Sequence, residues 1–191
     1  GSFVLLALSG MVINLVVAGT RDAAALGVFN QTYAVYIVSS QLATLGLHYS
    51  VLRHAALHEA DEDARGRMFG TAAACAGPLG ALFDSATTGR AIAWASTGLV
   101  LFSLNKVLLA YLNGLRRMKA FSVLQGLRYL LVMAVVCAVA AGPWPIEVAT
   151  VAFLVAEIAT ALACTAYVAR RGLARHLRFD RAWLRTHLRF G

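Results

Sequence analysis

Charged residues are scarce in this sequence, and acidic residues are scarcer than basic ones. Asp and Glu number 9 against 17 Lys and Arg, and charged residues make up 14% of 191 residues. Soluble domains are about one-quarter charged. Since 60% of the residues are hydrophobic, a water-soluble core has no room for so much apolar surface. The composition therefore excludes an ordinary soluble domain and indicates an integral membrane protein.

Paired cysteines and catalytic carboxylate motifs are also missing. Cys75, Cys137 and Cys164 lie in different apolar runs without a CxxC or CxxH pair, so we interpret them as small buried hydrophobes. The sequence has no DDxxD group and no nucleophile beside a base, which argues against a membrane enzyme. We therefore expect neither enzyme activity nor a cofactor.

Long apolar runs account for most of the chain. They cover residues 3–19, 27–52, 68–83, 91–112, 121–142 and 146–169. Most are near the ~20 residues that a helix needs to cross a ~30 Å hydrocarbon layer. Helices are expected because unpaired backbone amides are prohibitive in lipid. The sequence thus predicts an all-α transmembrane bundle of about six spanning helices over residues 1–169.

Basic residues are concentrated after every second run. Arg21 and Arg90 are the two that lie in the alternate loops. Lys and Arg resist translocation, so we expect both ends of the chain in the cytoplasm. The net charge of +8 does not form a patch of the kind that binds nucleic acid, and no such partner is expected. The residues after the second, fourth and sixth runs are Arg53, Arg65, Arg67, Arg116, Arg117, Lys119, Arg170, Arg171, Arg175, Arg178, Arg181, Arg185 and Arg189.

Residues 170–191 differ in character from the rest of the chain. On an ideal helix their leucines share one side and their arginines lie opposite, which predicts a cytoplasmic, amphipathic connector at the membrane interface. Asp180 is a good N-cap, so a separate helix is expected to begin at Arg181. A simple basic stop-transfer tail is the alternative. The leucines are Leu173, Leu177, Leu184 and Leu188.

A histidine pair follows the second run. His54, His58 and Glu62 are spaced by four residues, so one continuous helix would place all three on the same face. Such a set can bind zinc. We favour a solvated cytoplasmic extension of the helix, because no further ligand or apolar shell is indicated.

Polar residues inside the apolar runs are the candidate functional residues, because each costs free energy in lipid unless it faces protein or water. Asn30, Gln41, Thr44 and His48 project from one side of a continuous helix over the second run. The stripe either lines a water-filled face or hydrogen-bonds to neighbouring helices. We predict that it faces a groove shared with the helices of the fourth and fifth runs.

Two cations are expected near the middle of the membrane. Lys106 lies ten residues before Arg116, and Arg128 lies nine residues after Lys119. At 1.5 Å per residue, both are about 13 to 15 Å from the cytoplasmic ends of their helices. Glu157, central in the sixth run, can offset one of them. Two interpretations stay open: a buried ion pair that fixes helix packing, and a cationic cavity for an anionic headgroup.

Two stretches resemble bacterial polysaccharide-biosynthesis flippases of the multidrug/oligosaccharidyl-lipid/polysaccharide exporter superfamily. Residues 26–56, LGVFNQTYAVYIVSSQLATLGLHYSVLRHAA, are similar to the second transmembrane segment of that family. Residues 105–128, NKVLLAYLNGLRRMKAFSVLQGLR, are similar to its NGLxRMK turn. The resemblance implies a fold of two six-helix lobes, with this chain supplying the first lobe and the lateral connection.

The resemblance also implies a function. Such proteins move an undecaprenyl-pyrophosphate-linked oligosaccharide across the bacterial inner membrane by alternating access, for cell-surface polysaccharides such as the O-antigen of lipopolysaccharide. Cationic cavity residues are thought to hold the pyrophosphate. Arg53 matches a basic position of the related peptidoglycan-precursor flippases, whereas Lys106 and Arg128 fit that role by depth and chemistry. The expected partners are the lipid-linked oligosaccharide, membrane lipids and the C-terminal half of the same transporter.

Three other functions stay open. A multidrug antiporter of the same superfamily would extrude organic cations and would favour acidic cavity residues, whereas this chain has two deep cations and one central acid. A membrane-embedded glycan ligase or polymerase lacks the motifs named above. A non-transporting scaffold of packed helices is disfavoured by the polar stripe.

Overall fold

A computed structural model describes residues 2–44, 46–58, 60–82, 98–173 and 178–190. Within these residues all regular structure is helical, which confirms the all-α prediction for the described part of the chain. The elements are α1 (Ser2–Thr20), α2 (Ala23–Thr44), α3 (Leu47–Leu57), α4 (Glu62–Leu82), α5 (Leu99–Gly114), α6 (Met118–Ala141), a 3₁₀ turn (Ile146–Thr150), α7 (Val151–Arg170) and α8 (Arg181–Phe190).

In the described part of the chain, two helical stretches are long and apolar enough to cross a membrane, Met118–Ala141 and Ile146–Arg170. Val4–Thr20 and Leu99–Gly114 are also apolar but shorter. The start of the fourth apolar run, together with Arg90, lies outside the described residues. The number of about six spans therefore stays a prediction.

The second apolar run forms two helices instead of one. Gly46 has a φ of 73° and separates α2 from α3. This left-handed conformation is readily adopted by glycine, which has no Cβ to clash. His48 consequently lies on α3, whereas Asn30, Gln41 and Thr44 lie on α2. The prediction of one continuous helical stripe through all four residues was wrong.

The predicted solvated helix extension after this run is present only as far as Leu57, and its histidines are not fully solvated. Since α3 ends at Leu57 and Glu62 begins α4, the set of His54, His58 and Glu62 does not share one helical face. Both histidines are half-buried and contact Trp183 on α8. The centre of the Trp183 ring lies 5.2 Å from that of His54 and 5.5 Å from that of His58. The described residues contain no group of three or more metal-ligating side chains placed to hold a metal ion.

Among the described residues the core consists of two apolar clusters that share α5, α6 and α7. One cluster joins α3, α4, α5, α6 and α7 around Met68, Tyr111 and Leu112. The other joins α1, α2, α5, α6 and α7 around Phe102 and Phe153. Because α5 contributes to both clusters, its side chains are mostly buried, and any polar group on it faces protein or an internal space.

Arg21 ties the connection between α1 and α2 to the end of α6. Its guanidinium donates to the carbonyl oxygens of Val139 at 3.1 Å, Ala140 at 2.9 Å and Trp144 at 3.0 Å, and also to Gly142. A cation is favoured there because the carbonyl end of a helix carries partial negative charge. The α1–α2 connection and the C-terminal end of α6 therefore lie at the same end of the bundle.

The C-terminal ends of α3, α5 and α7 gather together. The Tyr111 hydroxyl, near the end of α5, donates to the carbonyl oxygen of Leu173 just after α7 at 3.0 Å. Gly114 packs so closely on α3 that an added Cβ would stand 2.6 Å from the carbonyl oxygen of Leu52 and 2.7 Å from the Cβ of Ala55. The connections that follow α3, α5 and α7 therefore begin at one common end.

The last helix begins at Arg181, as the Asp180 N-cap predicted. The Asp180 carboxylate accepts a hydrogen bond from the Ala182 amide at 2.8 Å and pairs with Arg67 of α4 at 3.4 Å. The Asp180 amide donates to Thr71, also on α4, at 2.8 Å. These contacts fix the start of α8 on the bundle. Residues 174–177, which include Leu177, lie outside the described part, so the membrane contact of the connector stays a prediction.

Candidate functional site

A cavity of about 790 Å³ lies between α1, α2, α3, α5, α6 and α7. Its lining combines aromatic rings and neutral polar side chains with three charged ones, Lys106, Arg128 and Glu157. Two cations and one carboxylate give this lining a formal net charge of +1. The cavity is therefore suited to an anion rather than to a cation.

Arg128 and Glu157 form a buried ion pair. The Arg128 Nε donates to Glu157 Oε1 at 2.7 Å, and the side chains are 11% and 1% exposed. The Asn105 side-chain amide donates to the other carboxylate oxygen at 2.7 Å and to the Glu157 backbone carbonyl at 2.8 Å. Both carboxylate oxygens are thus hydrogen-bonded, and the cluster ties α5, α6 and α7 together.

Lys106 has a different environment. Its ammonium group donates to the Gln41 side-chain oxygen at 2.6 Å and lies 4.9 Å from the centre of the Phe102 ring. The Arg128 guanidinium carbon lies 4.1 Å from the same ring centre. Both contacts of the ammonium group are with neutral groups, and Lys106 forms no ion pair with a described residue. Its charge is therefore directed into the cavity without a bonded counter-ion.

Three of the four predicted stripe residues line the cavity. Asn30 and Gln41 reach it from α2, and His48 reaches it from α3 despite the break at Gly46. Thr44 does not line it. Its buried hydroxyl donates to the carbonyl oxygens of its own helix one turn earlier, as serine and threonine in helices often do.

Arg53 lies apart from the other predicted cationic site residues. It is exposed on α3 and does not line the cavity. Leu52, its neighbour in sequence, does line the cavity. The structure therefore brings Lys106 and Arg128 together, whereas Arg53 is outside the space that they share.

Several neutral polar residues that line the cavity were not predicted from the sequence, among them Asn14, Gln125 and Tyr129. The Asn30 side-chain amide donates to the Asn14 side-chain oxygen of α1 at 3.2 Å. On α6, the Gln125 amide donates to the Tyr129 hydroxyl at 2.6 Å. Each is a polar group in an apolar run, which is the signal that identified the other candidates. Asn105, which is adjacent to Lys106 in sequence, is also a polar group in an apolar run and was also missed.

Stacked aromatic rings form one wall of the cavity. The rings of Tyr36 and Phe153 are 4.7 Å apart between centroids, and those of Tyr33 and Phe153 are 5.6 Å apart. The Phe29 ring stacks on Tyr33 at 6.4 Å. Phe29, Tyr36 and Phe153 are buried in this stack, whereas Tyr33 is 37% exposed, so Tyr33 is the ring of the stack that is accessible to a bound molecule.

No protein-family model, curated protein or solved structure matches this chain. The chemistry of the cavity is therefore the basis for a functional assignment.

Proposed function

We propose that this chain is the N-terminal lobe of a flippase that moves an undecaprenyl-pyrophosphate-linked oligosaccharide across the bacterial inner membrane by alternating access. The transported lipid would supply cell-surface polysaccharide synthesis. The observation that carries the proposal is the Lys106 ammonium group, which faces a cavity with only neutral contacts. The similarity of residues 26–56 and 105–128 to such flippases supports it.

The two cations would contribute differently to binding a pyrophosphate. Lys106 supplies a charge without a bonded counter-ion, and the neutral Gln41 amide can be displaced from it by a phosphate oxygen. Arg128 is compensated by Glu157, but its terminal N–H groups form no hydrogen bond with a described residue. A guanidinium fork can donate those groups to phosphate oxygens. The pair of side chains therefore offers strong donors to a dianion at one place in the cavity.

An organic cation is a weaker candidate for the cargo. The carboxylate of Glu157 is the acidic group in the described lining, and both of its oxygens already accept hydrogen bonds. The formal net charge of +1 on the cavity lining would repel an organic cation. The antiporter alternative therefore lacks a free acidic partner among the described residues.

Substitution of Lys106 in the full-length protein tests the proposal. We expect Lys106→Gln to lower export of surface polysaccharide roughly tenfold or more, because that factor corresponds to the free energy lost with about one charge-assisted hydrogen bond. Lys106→Arg should keep most of the export, because the charge is kept. Export is measured per amount of protein in the membrane, so a folding defect is recognised.

Lys119→Gln is the matched control. Lys119 is an exposed lysine in the first turn of α6 and does not line the cavity. Its substitution should leave export unchanged. Normal export by Lys106→Gln at normal abundance would overturn the proposed anion site.

A further inference from the structure

A group of uncharged polar side chains faces the cavity beside the two cations. We call it the neutral polar group, and it comes from α1, α2 and α6. It contains two hydrogen-bonded pairs, one between α1 and α2 and one within α6. Its members are Asn14, Asn30, Tyr33, Gln125 and Tyr129.

This group lies next to the cationic side chains and not in a separate pocket. Tyr33 is near enough to Arg128 and Tyr129 to interact with both electrostatically. Tyr33 is also one turn from Asn30 on α2, so the two side chains share a face of that helix. The cavity therefore presents a cationic part and a neutral polar part to the same occupant.

The neutral polar group is accessible in the cavity. Asn14 and Asn30 are exposed, and 37% of Tyr33 is exposed, although all three line the cavity. Residues that serve only to join helices are buried between them, as Asn105 is. The pairs therefore keep donors and acceptors available to a bound molecule.

The chemistry of these residues matches a hydroxyl-rich ring. Amide groups offer both donors and acceptors, and phenol hydroxyls do so as well, so they can bind neighbouring hydroxyls without requiring charge. Tyr33, which stacks on Phe29 and Phe153 and is 37% exposed, presents its ring to the C–H side of a sugar. An acyl or prenyl chain would leave the polar atoms unpaired, which is unfavourable.

We infer that the neutral polar group, with Tyr33 as its stacking ring, binds a pyranose ring attached to the phosphate held at Lys106. This assignment rests on the proposed function, and it locates the sugar-recognition part of the cavity on α1, α2 and α6. Lys106 and Arg128 bind the charge of the headgroup, whereas the neutral polar group distinguishes a glycosylated lipid from a bare prenyl diphosphate.

Two substitutions on different helices test the inference in the full-length protein. Asn30→Leu and Gln125→Leu remove one amide each at similar side-chain size. We expect each to lower polysaccharide export about tenfold, as for the loss of a hydrogen bond whose partner stays unpaired. Farnesyl diphosphate has the charged headgroup and no sugar. Its binding affinity should stay within about twofold of that of the unsubstituted protein, because a change of that size is smaller than the loss of one hydrogen bond would cause.

Gln31→Leu is the matched control. Gln31 is the exposed amide next to Asn30 on α2, and it does not line the cavity. It should alter neither export nor farnesyl diphosphate binding. Lys106→Gln should lower both, which separates the sugar assignment from the anion site.

Two results would overturn the inference. One is unchanged export by both Asn30→Leu and Gln125→Leu. The other is a joint fall in export, farnesyl diphosphate binding and melting temperature in both variants, because that combination indicates a packing role. Failure of the proposed function is a distinct result, namely normal export by Lys106→Gln.

Discussion

Lys106 and Arg128 are adjacent cations with different partners, and the difference follows from their chemistry. The planar guanidinium of arginine is weakly hydrated and suited to buried pairs with carboxylates, whereas the compact ammonium of lysine holds water strongly. Arg128 accordingly forms the buried ion pair with Glu157. Lys106 keeps a neutral amide contact on the cavity side. The buried pair thus orders three helices while one charge stays available.

Removing the carboxylate tests this division at the level of single residues. Glu157→Gln would leave the Arg128 charge without its counter-ion at a position that is 11% exposed. Loss of one partner of a buried pair costs about 3–5 kcal/mol, so we expect destabilisation of that size. Thermal unfolding of the purified protein in detergent measures it.

The control for this prediction is Glu147→Gln. Glu147 is exposed in the 3₁₀ turn, and surface substitutions usually change stability by less than about 0.5 kcal/mol. Equal unfolding temperatures for Glu157→Gln and Glu147→Gln would contradict a stabilising ion pair.

Single residues of the site were predictable in identity but not in pairing. Deep charges in apolar runs point to Lys106, Arg128 and Glu157 without a structure, because each is costly in lipid. From the sequence, either Lys106 or Arg128 could form the ion pair with Glu157. Which of them does so depends on the rotation of α5, α6 and α7 about their axes, and tertiary packing determines that rotation. Asn105, which holds the second carboxylate oxygen, has no sequence signal beyond its polarity.

At the level of elements, the apolar runs predicted where helices lie, and one glycine changed how they connect. The hydrophobic pattern continues through Gly46, so periodicity alone joins α2 and α3 into one helix. The break gives α3 two roles. His48 and Leu52 line the cavity, and His54 and His58 contact α8.

α8 is attached to α3 and α4 by a buried histidine. His187 is 2% exposed, its Nδ1 is 2.6 Å from the Ser50 hydroxyl, and its Nε2 is 3.3 Å from the Met68 carbonyl oxygen. Burial lowers the pKa of His187, the Met68 carbonyl acts in the opposite direction, and the nearby His54 lowers it further. The docked helix therefore favours the neutral imidazole.

We predict that docking of α8 weakens in acid. Above about pH 6.5, the ordinary pKa of histidine, His187 is neutral in both docked and undocked states and docking is at full strength. As pH falls below that value, the undocked imidazole takes up a proton that the docked one resists, so the undocked state gains stability. Fluorescence of Trp183 between about pH 8 and pH 5.5, in a variant with Trp94 and Trp144 replaced by Phe, measures the change.

His187→Gln is the control because its side chain does not titrate in this range. Any response that remains in this variant does not arise from His187. An identical pH response with and without His187 would contradict the prediction.

At the level of the whole molecule, α6 relates the two ends of the bundle. Its 24 residues extend about 36 Å at 1.5 Å per residue, which exceeds a ~30 Å hydrocarbon layer. The exposed Arg117 and Lys119 lie at its start, and the exposed Trp144 follows its end. By the positive-inside rule we expect the basic end in the cytoplasm. The Arg21 contacts with the last carbonyls of α6 place the α1–α2 connection at the opposite end of the bundle.

Cysteine labelling tests this orientation in the full-length protein after replacement of all its native cysteines, including Cys75, Cys137 and Cys164, by alanine. A membrane-impermeant maleimide should label Trp144→Cys in intact spheroplasts and Lys119→Cys only in inverted membrane vesicles. Leu130→Cys is the control: its side chain is 42% exposed on the bundle surface in mid-α6, so lipid should protect it from both sides. Labelling of Leu130→Cys by the aqueous reagent would contradict a membrane span. The reverse pattern at Trp144 and Lys119 would invert the topology, because the ends of one spanning helix must face opposite compartments.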